Sequence, residues 1–223
     1  MLPIKVDAGI LADHPWVRSV QWRQKAWIME HMDSLTITRP DDWHLHVREG
    51  ALLKSVVPDT ARQFARAIIM PNLTPPVATV ERALNYREEI LAAVPTGNAF
   101  EPLMTLYLTE DTPPEEIQKA AECPHVHAVK LYPAGATTNA ASGVRDIKKV
   151  YSVIEAMEKH DLPLLMHGEV VDADIDIFDR EAVFIERHLA PLVERFPKLR
   201  MVMEHITTES AVAFVSDQPD NLA

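Results

Sequence analysis

Trp43-His44-Leu45-His46-Val47-Arg48 opens the organised part of this 223-residue chain. It follows a short apolar, β-branched segment, Leu35-Thr36-Ile37-Thr38, and a turn signal, Arg39-Pro40-Asp41-Asp42. Read as extended chain, the period of two puts His44 and His46 on one face, with Arg48 next along it. Two imidazoles side by side can chelate a metal ion, and a guanidinium beside them can hold an anion. A surface strand that happens to carry two histidines is the plainer account. The choice turns on whether other residues converge on that face.

Working outward, the chain settles into a rhythm of short apolar strands and amphipathic helices. Ala67-Ile68-Ile69-Met70 reads as a buried strand ending in Pro71-Asn72, and Thr79–Val94 as a helix. Leu103–Leu108 is a second buried strand. In Thr112-Pro113-Pro114-Glu115, Thr112 is expected to cap a helix with Pro113 at its first position and Glu115 completing a capping box. Ala128–Tyr132 is a further strand, stopped by Pro133. Asp146–His160 carries Ile147, Val150, Tyr151, Ile154 and Met157 on one helical face. Leu162–Met166 runs as a strand into His167-Gly168. A long helix is expected over 177–196, a strand over 199–206, and a last helix from Glu209. Counted from Leu35–His46, this makes six strand–helix units. Continuous apolar strands alternating with helices predict an α/β fold with a parallel sheet covered on both faces. The form expected is a TIM-type (β/α) barrel, six of whose eight units lie in this chain.

Composition narrows the function. With 47% hydrophobic and 25% charged residues the chain is an ordinary globular one, and a net charge of -11 without any basic block disfavours nucleic acid or an anionic membrane. Its one cysteine, Cys123, permits no internal disulfide and fits a reducing, cytoplasmic setting. No apolar run reaches transmembrane length. Residues 1–31 hold three of the four tryptophans, are broken by Pro3 and Pro15, and lack a signal-peptide core. They read as an appendage ahead of a natural start at Met32, with residues 32–223 as the barrel domain.

The polar residues within the strands fall at one end. His44 and His46 close the first, Asn72 follows the second, Lys130 lies near the end of the fourth, His167 follows the fifth and His205 nears the end of the sixth. In a (β/α) barrel the carboxyl ends of the strands form one face, where catalytic groups collect. A lone strand histidine is usually a hydrogen-bonded core residue, and Asn72 alone would be a turn residue. Lys130, between Val129 and Leu131, is costly to bury unless paired or chemically changed. Their joint arrival favours a metal site. His125 and His127 lie at the opposite end of the fourth strand and read as structural, as do His160 and His188 on helix faces. By alternation from His205, Glu204 is expected to point away from the pocket or else to support a pocket residue from behind, the plainly structural role being favoured. Asp172, Asp174, Asp176 and Asp179 lack the glycine and terminal glutamate of a calcium loop.

In this order, Arg39–Arg48, Met70–Pro76, Lys130–Ala134 with Thr137-Thr138-Asn139, His167–Glu169, Asp174–Glu181 and Glu204–Thr208 resemble the shorter bacterial-type dihydroorotases of the amidohydrolase superfamily. The resemblance runs from Leu35 to the end. It implies two zinc ions: His44 and His46 on one, His167 and His205 on the other, and Lys130, carboxylated on its amine, bridging both. It implies attack of a bridging hydroxide on the ring amide of (S)-dihydroorotate, reversibly giving N-carbamoyl-L-aspartate, in pyrimidine biosynthesis. Arg48 and Asn72, with His46 and His167, would hold the substrate, and a loop carrying Thr137 and Thr138 would close over it. A homodimer is implied for the full-length form.

Two departures stand out. Gly135 replaces the asparagine often seen in the loop. The general acid/base aspartate expected on an eighth strand would lie beyond residue 223; Asp217 and Asp220 are not at a strand end and cannot replace it. The chain alone is therefore expected to lack turnover, and an open barrel to expose strand edges. Competing readings are an inactive remnant or metal-binding partner, and another cyclic amidohydrolase such as a hydantoinase, against which Arg48 and Asn72 argue.

Overall fold

The computed structural model describes residues 36–223, which excludes the N-terminal appendage and its boundary at residue 32. The chain divides into two units, Met1–Pro40 and Asp41–Ala223. In the first, residues 36–40 have no regular structure, so the expected strand does not begin there. Every helix and strand of the described residues belongs to the second unit.

Six strands form one sheet: β1 Asp42–Leu45, β2 Arg66–Ile69, β3 Glu101–Tyr107, β4 Val126–Leu131, β5 Leu164–His167 and β6 Met201–Glu204. All neighbours are parallel and the spatial order is the sequence order. Sequential parallel order is the winding of a (β/α) barrel, since an open doubly wound sheet reverses direction at a switch point. The sheet is curled. Laid flat, six strands would hold β1 and β6 about 24 Å apart. Instead, His44 at the end of β1 lies 3.1 Å from Glu204 at the end of β6.

The helices are α1 Gly50–Gln63, α2 Val80–Ala93, α3 Pro114–Glu122, α4 Tyr151–Lys159, α5 Arg180–Phe184, α6 Ala190–Arg195 and α7 Glu209–Ser216. Their apolar faces pack with Ala67, Ile69, Val129, Leu131, Leu164, Met166, Met201 and Met203 in the main core. The alternate residues Ile68, Met70, Ala128, Leu165 and Val202 form a small apolar cluster of their own on the sheet's other face.

Several local details differ from expectation. α1 carries Pro58 within it and is absent from the periodic segments read in the sequence. Thr112 does not cap α3: its hydroxyl accepts from the Thr109 amide at 3.0 Å, closing its own turn, and Pro113 takes the cap position. The expected Glu115 contact is replaced by one between elements, Glu116 accepting from the Val80 amide of α2 at 2.7 Å. The helix expected over 177–196 begins at Arg180 and is divided by a π turn, Ile185–Leu189. Pro191, which has no N–H to give Arg187 and whose ring crowds that carbonyl, follows immediately. Finally, Leu222 bridges Met201 in parallel, and the Met201 and Met203 amides donate to the carbonyls of Asn221 and Ala223. The free edge of β6 is thereby covered where a seventh strand would lie.

The loops after β3 and β4 are tied by Glu110, whose carboxylate accepts from the Arg145 and Asp146 amides, each at 2.9 Å, and from Lys149 Nζ at 2.7 Å. The Lys149 contact, with the two amides, holds the Glu110 carboxyl down at about 2. A depressed folded pKa adds stability above the unfolded value and loses it as pH falls through the folded one. Glu110→Gln should therefore flatten the loss of stability between pH about 4.5 and about 2, seen by urea unfolding across that range. An acid limb identical to that of the parent would contradict the clamp.

Candidate active site

Side-chain alternation and one backbone turn assemble the site at the carboxyl ends of the strands. Lys130 stands two residues after Ala128, and His167 two after Leu165, so both share the face of the small apolar cluster. Lys130 is paired in register with Leu165 and His167 with Glu204. Glu204 stands two after Val202 and faces inward as well, which corrects the expectation that it points away. His205 comes inward for a different reason: β6 has ended, and its φ of 44° turns the chain where alternation would have carried the ring outward. β1 likewise ends at Leu45, yet His46 still turns back to place its Nε2 3.1 Å from that of His44.

The five residues expected to hold metal come together. Ring centroids lie 5.0 Å apart for His44–His46, 5.1 Å for His44–His205 and 4.8 Å for His167–His205. Lys130, 0% exposed, lies at the base, its Nζ 5.2 Å from the Tyr132 ring centroid. Its ion partner is Glu204, whose other oxygen lies 3.1 Å from His44 Nδ1, off the line of a hydrogen bond. Burial lowers the Lys130 pKa, with Glu204 pulling it back. Burial pushes the Glu204 carboxyl up, but His44 and Lys130 together bring it below its ordinary value. Burial, then the charge of Arg48, takes His46 down to about 4; burial, then His205, does the same for His167. Burial, then Lys130, lowers His205. Near neutrality these three rings are therefore neutral, the form that ligates metals. His46 Nδ1 and His167 Nε2 are buried with no hydrogen-bond partner. Among the described residues, however, no group of three or more His, Cys, Asp or Glu stands in metal-holding geometry.

A second cluster flanks the imidazoles. Arg48 has φ 58°, a conformation uncommon for arginine. It is held by the fully buried Tyr86 of α2, whose hydroxyl donates to the Arg48 carbonyl at 2.7 Å. Arg48 Nη1 donates to the Asn72 carbonyl at 3.4 Å. Asn72, 1% exposed, donates its amide to the Thr138 carbonyl at 2.9 Å, and Asn139 donates back to the Asn72 carbonyl at 3.0 Å. The loop holding Thr137 and Thr138 is thus latched onto Asn72, with both threonines exposed. Gly135 in that loop has φ 86°, which glycine adopts freely. Gly168, after His167, lets Met203 pack against bare backbone: a Cβ there would meet Met203 Cε at 2.5 Å and Cγ at 2.9 Å, so that side chain would have to shift.

The sequence reading missed Tyr86 and misdirected Glu204. Tyr86 lies on an ordinary helical face and gives no signal of its partner 38 residues away. Glu204 could have been placed by counting alternation from the apolar Val202 instead of from His205.

The profile of the Amidohydrolase family matches residues 38–217. The chain is 64% identical over 192 residues to the dihydroorotase of Microcystis aeruginosa, covering 86% of this chain and 56% of that protein. It resembles the crystal structure of Campylobacter jejuni dihydroorotase with a TM-score of 0.75 and 37% identity, covering 84% of this chain and 56% of that one. Against Saccharomyces cerevisiae dihydroorotase in complex with 5-fluoroorotic acid, the TM-score is 0.73 and the identity 38%, covering 80% and 50%. The chain spans about half the length of the relatives it matches.

The buried pair yields a direct test. Glu204→Ala in metal-free protein should cost about 3–5 kcal/mol in urea unfolding, because it strands a buried cation. Lys130→Met with Glu204→Leu should recover most of that. A cost below ~0.5 kcal/mol for the single variant would mean the pair does not form in solution.

Proposed function

The chain belongs to the amidohydrolase family, and from that premise we propose that, in a form that also carries the acid/base aspartate, the protein acts as a dihydroorotase, reversibly hydrolysing the cyclic amide of (S)-dihydroorotate to N-carbamoyl-L-aspartate. The observation that carries this reading is the meeting of four histidines and a buried lysine at the strand ends beside Arg48 and Asn72. The same proposal places it in the cytoplasm, acting on a small molecule; a net charge of -11 without a basic block fits a partner other than nucleic acid. A homodimer is part of the same proposal.

The donor set fits a metal pair. His44 and His46 would hold one zinc, His167 and His205 the other, and Lys130 would bridge them once carboxylated. Neutral buried rings and partnerless nitrogens at His46 and His167 support this assignment. Carboxylation requires Lys130 to leave its ion pair with Glu204. When bound, the zinc ions supply Lewis acidity toward the ring amide and activate water. The chain's own residues do the rest. Arg48 offers a two-pronged cation to the substrate carboxylate, in a pose fixed from behind by the Tyr86 hydroxyl. Asn72 supplies a neutral donor once its amide is released from Thr138, and the Thr137-Thr138 segment closes the pocket from water.

A second reading, a non-catalytic metal-binding or metal-free partner, is favoured by the Lys130–Glu204 pair, which satisfies both charges without any ion. Zinc content separates the two. The naturally occurring protein, reconstituted with zinc and bicarbonate, should bind close to two ions, and Lys130→Ala should lose both metal and ring opening. Full zinc retention by Lys130→Ala would count against the bridging role.

Arg48→Met should raise KM for dihydroorotate by tenfold or more with a smaller change in kcat. Tyr86→Phe should raise it about two- to tenfold, the worth of one hydrogen bond. Steady-state kinetics in both directions would show this; an unchanged KM for Arg48→Met would remove the carboxylate assignment.

A further inference from the structure

The first turn of α5 carries a carboxylate that neither the metal set nor the substrate contacts use. Glu181 is 5% exposed and makes no ion pair among the described residues. Its Oε1 accepts from the Thr207 amide and hydroxyl, each at 2.9 Å. Its Oε2 accepts from the Thr207 amide at 3.1 Å, the Thr208 amide at 3.0 Å and the Thr208 hydroxyl at 2.6 Å. A carboxylate offers about four acceptor positions, so this one is filled by two consecutive residues. The Thr208 hydroxyl in turn accepts from the Ala211 amide at 3.3 Å, capping α7.

Thr207 and Thr208 stand two and three residues after His205. That histidine holds a left-handed backbone, φ 44°, which costs a non-glycine residue free energy and persists only where its surroundings over-determine it. The Glu181 clamp is the anchor on the downstream side of that turn. The same helical turn also reaches the loop after β5: the Arg180 carbonyl accepts from the Val170 amide at 3.4 Å, three residues after His167. One turn of helix therefore ties the segments that follow both His167 and His205, whose rings lie 4.8 Å apart.

We propose that Glu181 is a positioning residue for His205: by saturating its carboxylate on Thr207 and Thr208, it fixes the turn after β6 that presents the His205 ring beside His167. The metal consequence rests on the function proposed above; the positioning itself does not. Loss of the clamp frees the turn to relax toward ordinary backbone, moving His205 away from His167 while leaving the backbone of His44, in β1, and of His46, just after it, in place. Groups that orient metal ligands without touching the ion are worth about 10- to 100-fold in metal affinity.

The test uses the full chain with Glu181→Gln and Thr207→Val, read in three ways. In Glu181→Gln, Thr207 and Thr208 amides should exchange with solvent at least tenfold faster. The ring resonances of His205, and of His44 in edge contact with it, should shift in metal-free protein, with those of His46, which has no ring contact with His205, unmoved. Zinc affinity, by competition with a chromophoric chelator, should fall 10- to 100-fold for the weaker ion and little for the other. Thr207→Val, which keeps the carboxylate and its other donors, should move each readout the same way by about two- to fivefold, and it decides the question if Glu181→Gln does not fold. Faster exchange with an unmoved His205 ring and zinc affinity within twofold would overturn the proposal, leaving Glu181 as an anchor for α7 alone. Absence of zinc binding by the parent protein would overturn the metal reading instead, and the ring resonances would still decide the positioning.

Discussion

An ammonium group with no exposure to water, set into the fourth of six strands, is the constraint that the rest of this molecule answers. Lys130 does not reach water: its side chain is fully buried on the inner face, against the Tyr132 ring and the Glu204 carboxylate. Its charge must be met inside, and Glu204 meets it from two strands away. The curl of the sheet then brings β1 round so that His44 touches Glu204 from the other side. Fold and site are one problem here. The parallel, sequential winding gathers all strand ends on one face, and the buried pair and its histidines occupy the concavity that the winding creates.

Two anchoring devices hold the rim. On one flank, Tyr86 on α2 fixes the strained backbone of Arg48, and Asn72 exchanges hydrogen bonds with the loop 138–139. On the other, the first turn of α5 grips the segments after β5 and β6. In both, a helix packed outside the sheet reaches over the strand ends to fix a residue in positive φ, Arg48 or His205. Of the four non-glycine residues with positive φ among the described residues, two, Arg48 and His205, are these site residues, and the cost of their strain is offset by partners outside the set; the other two are Asn139 and Asp161.

The sheet was legible because its strands are continuous apolar runs, and the site because His44, His46, Lys130, His167 and His205 interrupt those runs at matching ends. What escaped is what period alone cannot see. α1 hid because Pro58 lies inside it and its apolar stripe is thin. The π turn follows from a proline's missing donor, which shifts hydrogen bonds without altering the apolar pattern. Glu204 was misdirected because alternation was counted from His205, which lies just past the strand in a left-handed turn. Tyr86 and Glu181 act through partners distant in sequence, 38 residues away for one and 26 for the nearer contact of the other, and no local pattern marks such pairings.

Gly168 bears on what holds such a centre in place. Met203 from β6 lies against the bare backbone of Gly168, just beyond His167, while the spacing of β5 and β6 is that of their hydrogen-bonded ladder. Thioethers are soft and adapt to small changes in shape. The contact therefore tolerates small changes of shape at residue 203 without altering the register that sets His167 opposite Glu204. Side-chain fit at this point and the placement of His167 rest on different interactions, packing for the one and the backbone ladder for the other.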